Sequence, residues 1–192
     1  PPYVALTVSG GHTELTHVRP KFQYELLGRT RDDAAGEAFD KCGKLLGLGY
    51  PAGPIVGKTA VGGSRKFHRF PRSFKGENHG EFSFSGLKSA VLRYTQEHSH
   101  AFIQANLNDI CASLEAAIVD VLVDKSIWAL RNTGLKTIVV CGGVSANSWL
   151  RERLDQSCQQ FGFACKFPSM DLCTDNGAMI AGVAQARFNQ GI

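Results

Sequence analysis

Several short stretches of this sequence carry residue types that could do chemistry. Where two strand-like runs meet, Val8-Ser9-Gly10-Gly11-His12-Thr13 makes a turn whose backbone N–H groups could approach an anion closely; an ordinary glycine hairpin is the plain alternative. From Thr137 to Arg151 the pattern repeats with a helix behind it. Ile138 to Cys141 is apolar and β-branched, Gly142-Gly143 allows a tight turn, and Ser145, Asn147 and Ser148 are good helix-capping types. A strand, a glycine pair and a helix start present unpaired N–H groups and the positive end of a dipole, which suits a phosphate or a nucleotide. Glycines kept for steric reasons alone would look the same.

Other polar residues are open to two readings. Glu37 and Asp40 are three apart and Asp40 and Lys44 four apart, so one helix face carries paired carboxylates and a lysine. Such a face is usually solvated, yet a carboxylate is also what accepts hydrogen bonds from ribose hydroxyls. Gly53, flanked by Pro51 and Pro54, is either a turn residue or a place where a flat base passes close to the backbone. Asp175, before Asn176 and Gly177, opens a helix, where Asp is most often a cap; one carboxylate alone does not hold a transition metal. None of the histidines, His12, His17, His68, His79, His98 and His100, makes the i, i+4 pair that would help it, and His98 and His100 read as solvent-exposed.

Charge is unevenly placed. The net charge is +4, and Lys58, Arg65, Lys66, Arg69, Arg72 and Lys75 lie in one stretch without an acidic residue among them. Within it, Lys66-Phe67-His68-Arg69-Phe70-Pro71-Arg72-Ser73-Phe74-Lys75 interleaves cations and aromatic rings, the combination that binds nucleic acid by charge and stacking. The alternative puts the phenylalanines in a core and the cations in water. The six cysteines, Cys42, Cys111, Cys141, Cys158, Cys165 and Cys173, show no zinc-like spacing and read as reduced, mostly buried thiols of a cytosol-like compartment. No apolar run reaches the length of a membrane span, and the expectation is a soluble protein.

These residues need elements to position them. Tyr3 to Val8, Thr13 to Val18 and Tyr24 to Arg29 read as an antiparallel meander. A helix should follow, capped by Thr30 and Asp33, with Ala35, Ala38, Phe39, Cys42, Leu45 and Leu46 inward; Gly47 and Gly49 stop it, and Pro51 to Pro54 forbids an immediate restart. Residues 62 to 86 read as loop with a short strand at Glu81 to Phe84, and a helix runs from Gly86 and Leu87 towards Thr95. Ile110, Leu114, Ala117, Ile118, Val121, Leu122 and Trp128 mark the longest helix, ending near Asn132 and Gly134. The last helix should start at Thr174 or Asp175, with Met179, Ile180, Val183, Ala184 and Phe188 inward. Meander, helices, strand, helix, strand-like Phe163 to Phe167 and helix make an α/β domain that resembles the ribonuclease-H-like lobe of the actin, sugar-kinase and heat-shock-chaperone superfamily; the resemblance implies a mixed sheet with helices on both faces and a helical or loop insertion at about 50–100.

Taken in order, the motifs Val4 to Leu15, Asp32 to Lys41, Tyr50 to Pro54, Phe82 to Lys88, Gly142 to Asn147 and Cys173 to Ile180 resemble the TsaD-like family of tRNA threonylcarbamoyladenosine transferases over nearly the whole chain. The resemblance implies transfer of a threonylcarbamoyl group from threonylcarbamoyl-adenylate to the exocyclic amine of the adenosine beside the anticodon of tRNA. It implies that Thr7, Val8, Ser9, Gly10 and Gly11 line the phosphate and acyl region, that Asp40, Gly53 and Asn147 hold the nucleoside, and that Asp175 ligates a divalent transition metal, iron or zinc. Members hold that metal with two histidines of a His-x-x-x-His motif upstream of the first motif seen here. The implied object is therefore one C-terminal lobe, residues 1–192, with the N-terminal lobe absent, inactive alone and without tight metal. Threonylcarbamoyl-adenylate or ATP/AMP as nucleotide, tRNA and the other proteins of the threonylcarbamoyladenosine synthesis complex as partners, no membrane, and a cytoplasmic or organellar-matrix location follow from the same resemblance. An ATP-binding phosphotransferase lobe of the sugar- or acetate-kinase type, or a non-catalytic nucleotide-binding module, are the alternatives; the Ser9 to His12 turn lacks the acidic residue that such kinases generally place there.

Overall fold

In the computed structural model, which describes residues 1–191, alternating burial along the strands builds one sheet face into the core. Strands β1 (Tyr3–Val8), β2 (Thr13–Arg19) and β3 (Gln23–Arg29) form the expected antiparallel meander. Strand β4 (Thr137–Cys141) lies parallel to β1, and β5 (Ala164–Lys166) parallel to β4, giving the order β3-β2-β1-β4-β5. Val4, Leu6, Val8, Leu15, Ile138 and Val140 are fully buried on one face, against the apolar stripe of the long helix Leu107–Thr133. Tyr3, Ala5, Thr7, Val139 and Cys141, on the other face, are half-buried.

Seven helices follow the chain among the described residues: α1 (Ala35–Leu45), α2 (Ala52–Thr59), α3 (Ser85–Glu97), α4 (His100–Ala105), α5 (Leu107–Thr133), α6 (Ser148–Gln160) and α7 (Gly177–Phe188). Helix α5, about 40 Å long at 1.5 Å per residue, is the axle of the domain. Ile110, Leu114, Ile118, Leu122 and Leu130 on it are inaccessible, and α1, α2 and α6 pack around it. No helix among the described residues is long and apolar enough to cross a membrane.

Lys58 lies in the last turn of α2, and the rest of the basic stretch is an ordered strap rather than a helix or strand. It has few backbone partners of its own, and its amides must find them elsewhere. Polar side chains of α5 supply many of them. Asp109 accepts from the Ser64 amide (2.7 Å), Ser113 from His68 (3.1 Å), and Asp124 from Gly76 (2.8 Å). Asp120 binds Arg72 Nε (2.7 Å), the fully buried Lys125 donates to the Glu77 carbonyl (2.7 Å), and Trp128 Nε1 donates to Asn78 (2.8 Å). The strap thus runs alongside α5 over most of that helix's length.

Several expectations are corrected. Helix α1 is not capped by Thr30; its N-cap is Ala34, whose amide donates to Glu37 (3.4 Å), while the Thr30 hydroxyl donates to the Asp33 carbonyl (2.8 Å). A helix does restart within Pro51 to Pro54, because Pro51 is the N-cap and Pro54 sits in the first turn, where no intrahelical N–H is needed. The strand expected at Glu81 to Phe84 is only a single bridge between Phe82 and Thr30, since the rest of that run turns into α3. The polar stretch around His100 starts α4, and His98 is half-buried, its ring 4.3 Å from Tyr94 and 4.7 Å from Phe102. A 3-10 turn, Gly143–Ala146, comes between β4 and α6.

Helix α7 departs furthest. It is capped by Asn176, not Thr174 or Asp175, and the residues expected inward are exposed, Ile180 at 68% and Phe188 at 80%. Arg187 over the Phe22 ring is its one aromatic contact among the described residues.

Candidate functional site

Because β1 and β4 are adjacent and parallel, the turns leaving their C-terminal ends lie side by side, the place where open α/β sheets bind ligands. The first turn is tied by the Ser9 hydroxyl, which accepts from His12 N (3.0 Å) and Gly11 N (3.3 Å). The Gly10 amide makes no hydrogen bond among the described residues. Helix α1 is driven into this turn. Gly36 N donates to the Ser9 carbonyl (3.0 Å), and a Cβ on Gly36 would sit 2.6 Å from that oxygen. The buried Thr13 hydroxyl locks the junction, accepting from Ala35 N (2.8 Å) and donating to the His12 carbonyl (2.9 Å). From the other side comes Gly142, at φ +93°, whose absent Cβ would lie 2.8 Å from the Val8 carbonyl carbon. Thr7 closes the floor with its hydroxyl 3.6 Å from Cys141 Sγ.

Asp40 points away from Glu37, so the two do not act as a pair. Glu37 and Asp33 both hold Lys41, each at 2.8 Å, and this raises the Lys41 pKa, chiefly through its hydrogen bond to Asp33. Asp40 instead accepts from the Ala52 (2.8 Å) and Gly53 (3.0 Å) amides, capping α2. One turn along α2, Gly57 faces Asn147. Asn147 is the N-cap of α6, accepting from Leu150 N (2.8 Å), and its amide donates to the buried Glu115 (2.8 Å). Asp40, Gly53 and Asn147 are therefore arranged around one short helix, and the 3-10 turn from Gly143 links them to the Ser9 turn. The buried Ser145 Oγ, Arg65 Nε and Trp149 Nε1 have no hydrogen-bond partner among the described residues.

Asp175 stands apart. It is exposed and makes no side-chain hydrogen bond, and among the described residues no three His, Cys, Asp or Glu side chains are gathered as metal ligands would be. This chain alone does not fit a transition metal. A concavity of about 660 Å³ between the strap end and α5 and α6 is lined by Lys75, Trp128 and Arg131 and by none of the site residues above.

A sequence signature described as tRNA N6-adenosine threonylcarbamoyltransferase matches residues 1–182. The chain belongs to the TsaD family. Relatives carrying that same description are 48% identical in Chlorobium chlorochromatii, over 99% of this chain and 57% of the relative, and 51% identical in Variovorax paradoxus, over 100% and 54%. The chain thus spans about half the length of the curated TsaD relatives it matches. Among solved structures, the activator of 2-hydroxyisocaproyl-CoA dehydratase from Clostridium difficile, with bound ADPNP, shares the fold at TM-score 0.53 and 14% identity, over 88% of this chain and 54% of that one.

The sequence reading passed over Glu115, though a lone charge inside the apolar run Ile110 to Val119 marks it, and it placed Thr13 only in the turn and Arg65 only among the basic residues.

Proposed function

We propose that this chain is the C-terminal ribonuclease-H-like lobe of a tRNA threonylcarbamoyltransferase, transferring the threonylcarbamoyl group from threonylcarbamoyl-adenylate to the exocyclic amine of the tRNA adenosine beside the anticodon. The meeting of the Ser9 turn, the start of α1 and the Gly142 turn at the ends of β1 and β4 carries this reading, because family motifs far apart in sequence converge there. Thr7 to Gly11 would face the phosphate and acyl group, and Asp40, Gly53 and Asn147 the nucleoside. The buried Ser145 hydroxyl, without a partner among the described residues, supports it, since a buried donor left unpaired costs about 1–3 kcal/mol that a polar ligand offsets; the exposed Gly10 amide is free to meet an anion.

In the reaction the amine nitrogen attacks the carbonyl carbon, the bond to the adenylate oxygen breaks, AMP leaves with the electron pair, and the amine proton passes to solvent. Backbone N–H groups of the Ser9 turn would steady the oxyanion that develops on the carbonyl. Asp175 would be one ligand of the divalent metal, iron or zinc, whose histidines lie outside this chain. Partner proteins of the synthesis pathway, and a cytoplasmic or organellar-matrix location, belong to the same reading. The test compares this chain with a protein extended by the half that the relatives carry. The extended protein is expected to form threonylcarbamoyladenosine in tRNA; the chain alone is expected to form none and to lose metal on dialysis. Product or stoichiometric metal with the chain alone overturns the division of labour, and no product with the extended protein overturns the activity.

The strap would meet the tRNA. Its contribution differs from the sequence expectation, because Arg72 is spent on Asp120 and the Phe70 carbonyl, and Arg65 on Glu115. Phe70 is buried, leaving Lys66, Arg69 and Lys75 exposed. Replacing Lys66 and Arg69 with alanine should weaken tRNA binding several-fold at low salt and flatten the log–log salt dependence by about 1 to 2 units. Titrations at two salt concentrations decide it, and an unchanged slope returns both residues to plain surface charge.

A further inference from the structure

Glu115 lies in none of the motifs that carry the family resemblance, yet its carboxylate touches Asn147 of the proposed nucleoside pocket. It is 1% exposed on α5. One carboxylate oxygen accepts from Asn147 Nδ2 at 2.8 Å and the other from Arg65 Nη2 at 3.1 Å. The Arg65 guanidinium carbon lies over the Trp149 ring, 3.7 Å from its centroid, and Trp149 is two residues beyond Asn147 in the first turn of α6. On α2, Gly57 closes the group: a Cβ there would stand 3.3 Å from Asn147 Nδ2 and 3.6 Å from Glu115 Oε1. Side chains from the strap, α5 and α6 thus meet at one carboxylate, against the backbone of α2.

An asparagine amide has two orientations half a turn apart, one the chemical reverse of the other. What a ligand meets depends on which is held. The Leu150 amide claims Oδ1, and an ionised carboxylate, which only accepts, claims Nδ2 and rejects Oδ1. Held from both ends, Asn147 keeps one N–H and one oxygen lone pair in a fixed direction. Packing alone gives no reason for a charge here, because a well-packed apolar residue in place of a buried ion pair is often neutral or stabilising. Burial pushes the Glu115 carboxyl pKa up, against the pull of Asn147 and Arg65. A protonated carboxyl could donate to Oδ1 and would no longer choose between the two orientations.

We propose that Glu115, salt-bridged to Arg65, is a positioning residue of the nucleoside pocket, fixing which edge of the Asn147 amide meets the bound adenosine. This rests on Asn147 being a nucleoside contact, as proposed above.

The distinguishing variant is Glu115→Gln. The glutamine has one oxygen, and Arg65 claims it. Its NH2 then faces Asn147 and favours the reversed amide. Removing the cation as well, in Glu115→Gln with Arg65→Met, frees that oxygen to turn back to Asn147 Nδ2, while the methionine stays on the Trp149 ring. AMP is the probe, titrated calorimetrically into the protein extended by the relatives' other half, well below the Tm of each variant so that loss of fold does not count as loss of affinity. Asn147→Ala and Glu115→Gln should each weaken AMP binding about 10-fold, near the worth of one hydrogen bond, and the double variant should recover most of that loss. Affinity unchanged in Glu115→Gln, or a double variant weaker than either single one, overturns the positioning role while leaving the pocket in place. If the unaltered protein does not bind AMP, the nucleoside reading itself fails and this inference with it.

Discussion

Gly142→Ala should cost the domain more than about 3 kcal/mol, while Gly143→Ala next to it should change stability by less than about 1 kcal/mol. Gly142 has φ +93° and ψ 163°, a region held essentially by glycine, and a residue forced there pays about 1–3 kcal/mol. Sterics add to this. The new Cβ would be 2.8 Å from the Val8 carbonyl carbon, closer still to its oxygen, and 3.3 Å from Ser9 Cβ. That carbonyl cannot retreat, because Val8 ends a strand paired on one side with β2 and flanked on the other by β4, and Ser9 is fastened to Gly36. At Gly143 nothing lies within 4 Å of an added Cβ. Urea denaturation of the two variants measures the difference. Equal midpoints would mean that the two turns do not press on each other, and the cleft geometry above would have to be redrawn.

The parts of the fold that were legible are those whose signal is local. The strands β1, β2 and β4 and the helix α5 are buried on one face, and that burial imposes an apolar run, an alternation or a stripe on neighbouring residues. Helix α2 was hidden because its prolines sit where a helix tolerates them, and its cap, Asp40, comes from another helix. Helix α7 was misplaced for a different reason. An apolar pattern records that a surface needs cover, not what covers it, and the described residues leave Met179, Ile180 and Val183 open. At the site, Ser9 to Gly11, Asp40, Gly53 and Asn147 could be named from the sequence. Their arrangement around α2 could not, nor could the use of Arg65 and Arg72 as internal ties, because these contacts join residues about 50 positions apart.

Replacing Asp32 with alanine should lower stability by about 2 kcal/mol, for such a contact of long sequence separation. Helix α3 has no side-chain cap of its own, and Asp32 supplies one from 50 residues away: Oδ1 accepts from Phe84 N (2.7 Å) and Ser85 N (3.2 Å), Oδ2 from the hydroxyls of Ser83 (2.6 Å) and Ser85 (2.7 Å). The carboxylate is exposed, so water competes and the total stays near that of a good cap with one further charged hydrogen bond. Burial pushes its pKa up, but the bonds from Ser83, Phe84 and Ser85 outweigh that and hold it below the ordinary carboxylate value. Its stabilisation is therefore complete above about pH 4, the unfolded range, and fades as pH falls through the lower folded value. Asp32→Asn keeps part of the cap and cannot titrate, so its stability should decline less steeply than that of the unaltered chain below about pH 4. Chemical denaturation across pH 2.5 to 7, roughly the span in which carboxylates titrate, reads both quantities. Parallel curves would assign the acid sensitivity to other carboxylates and leave Asp32 as a neutral-pH cap only.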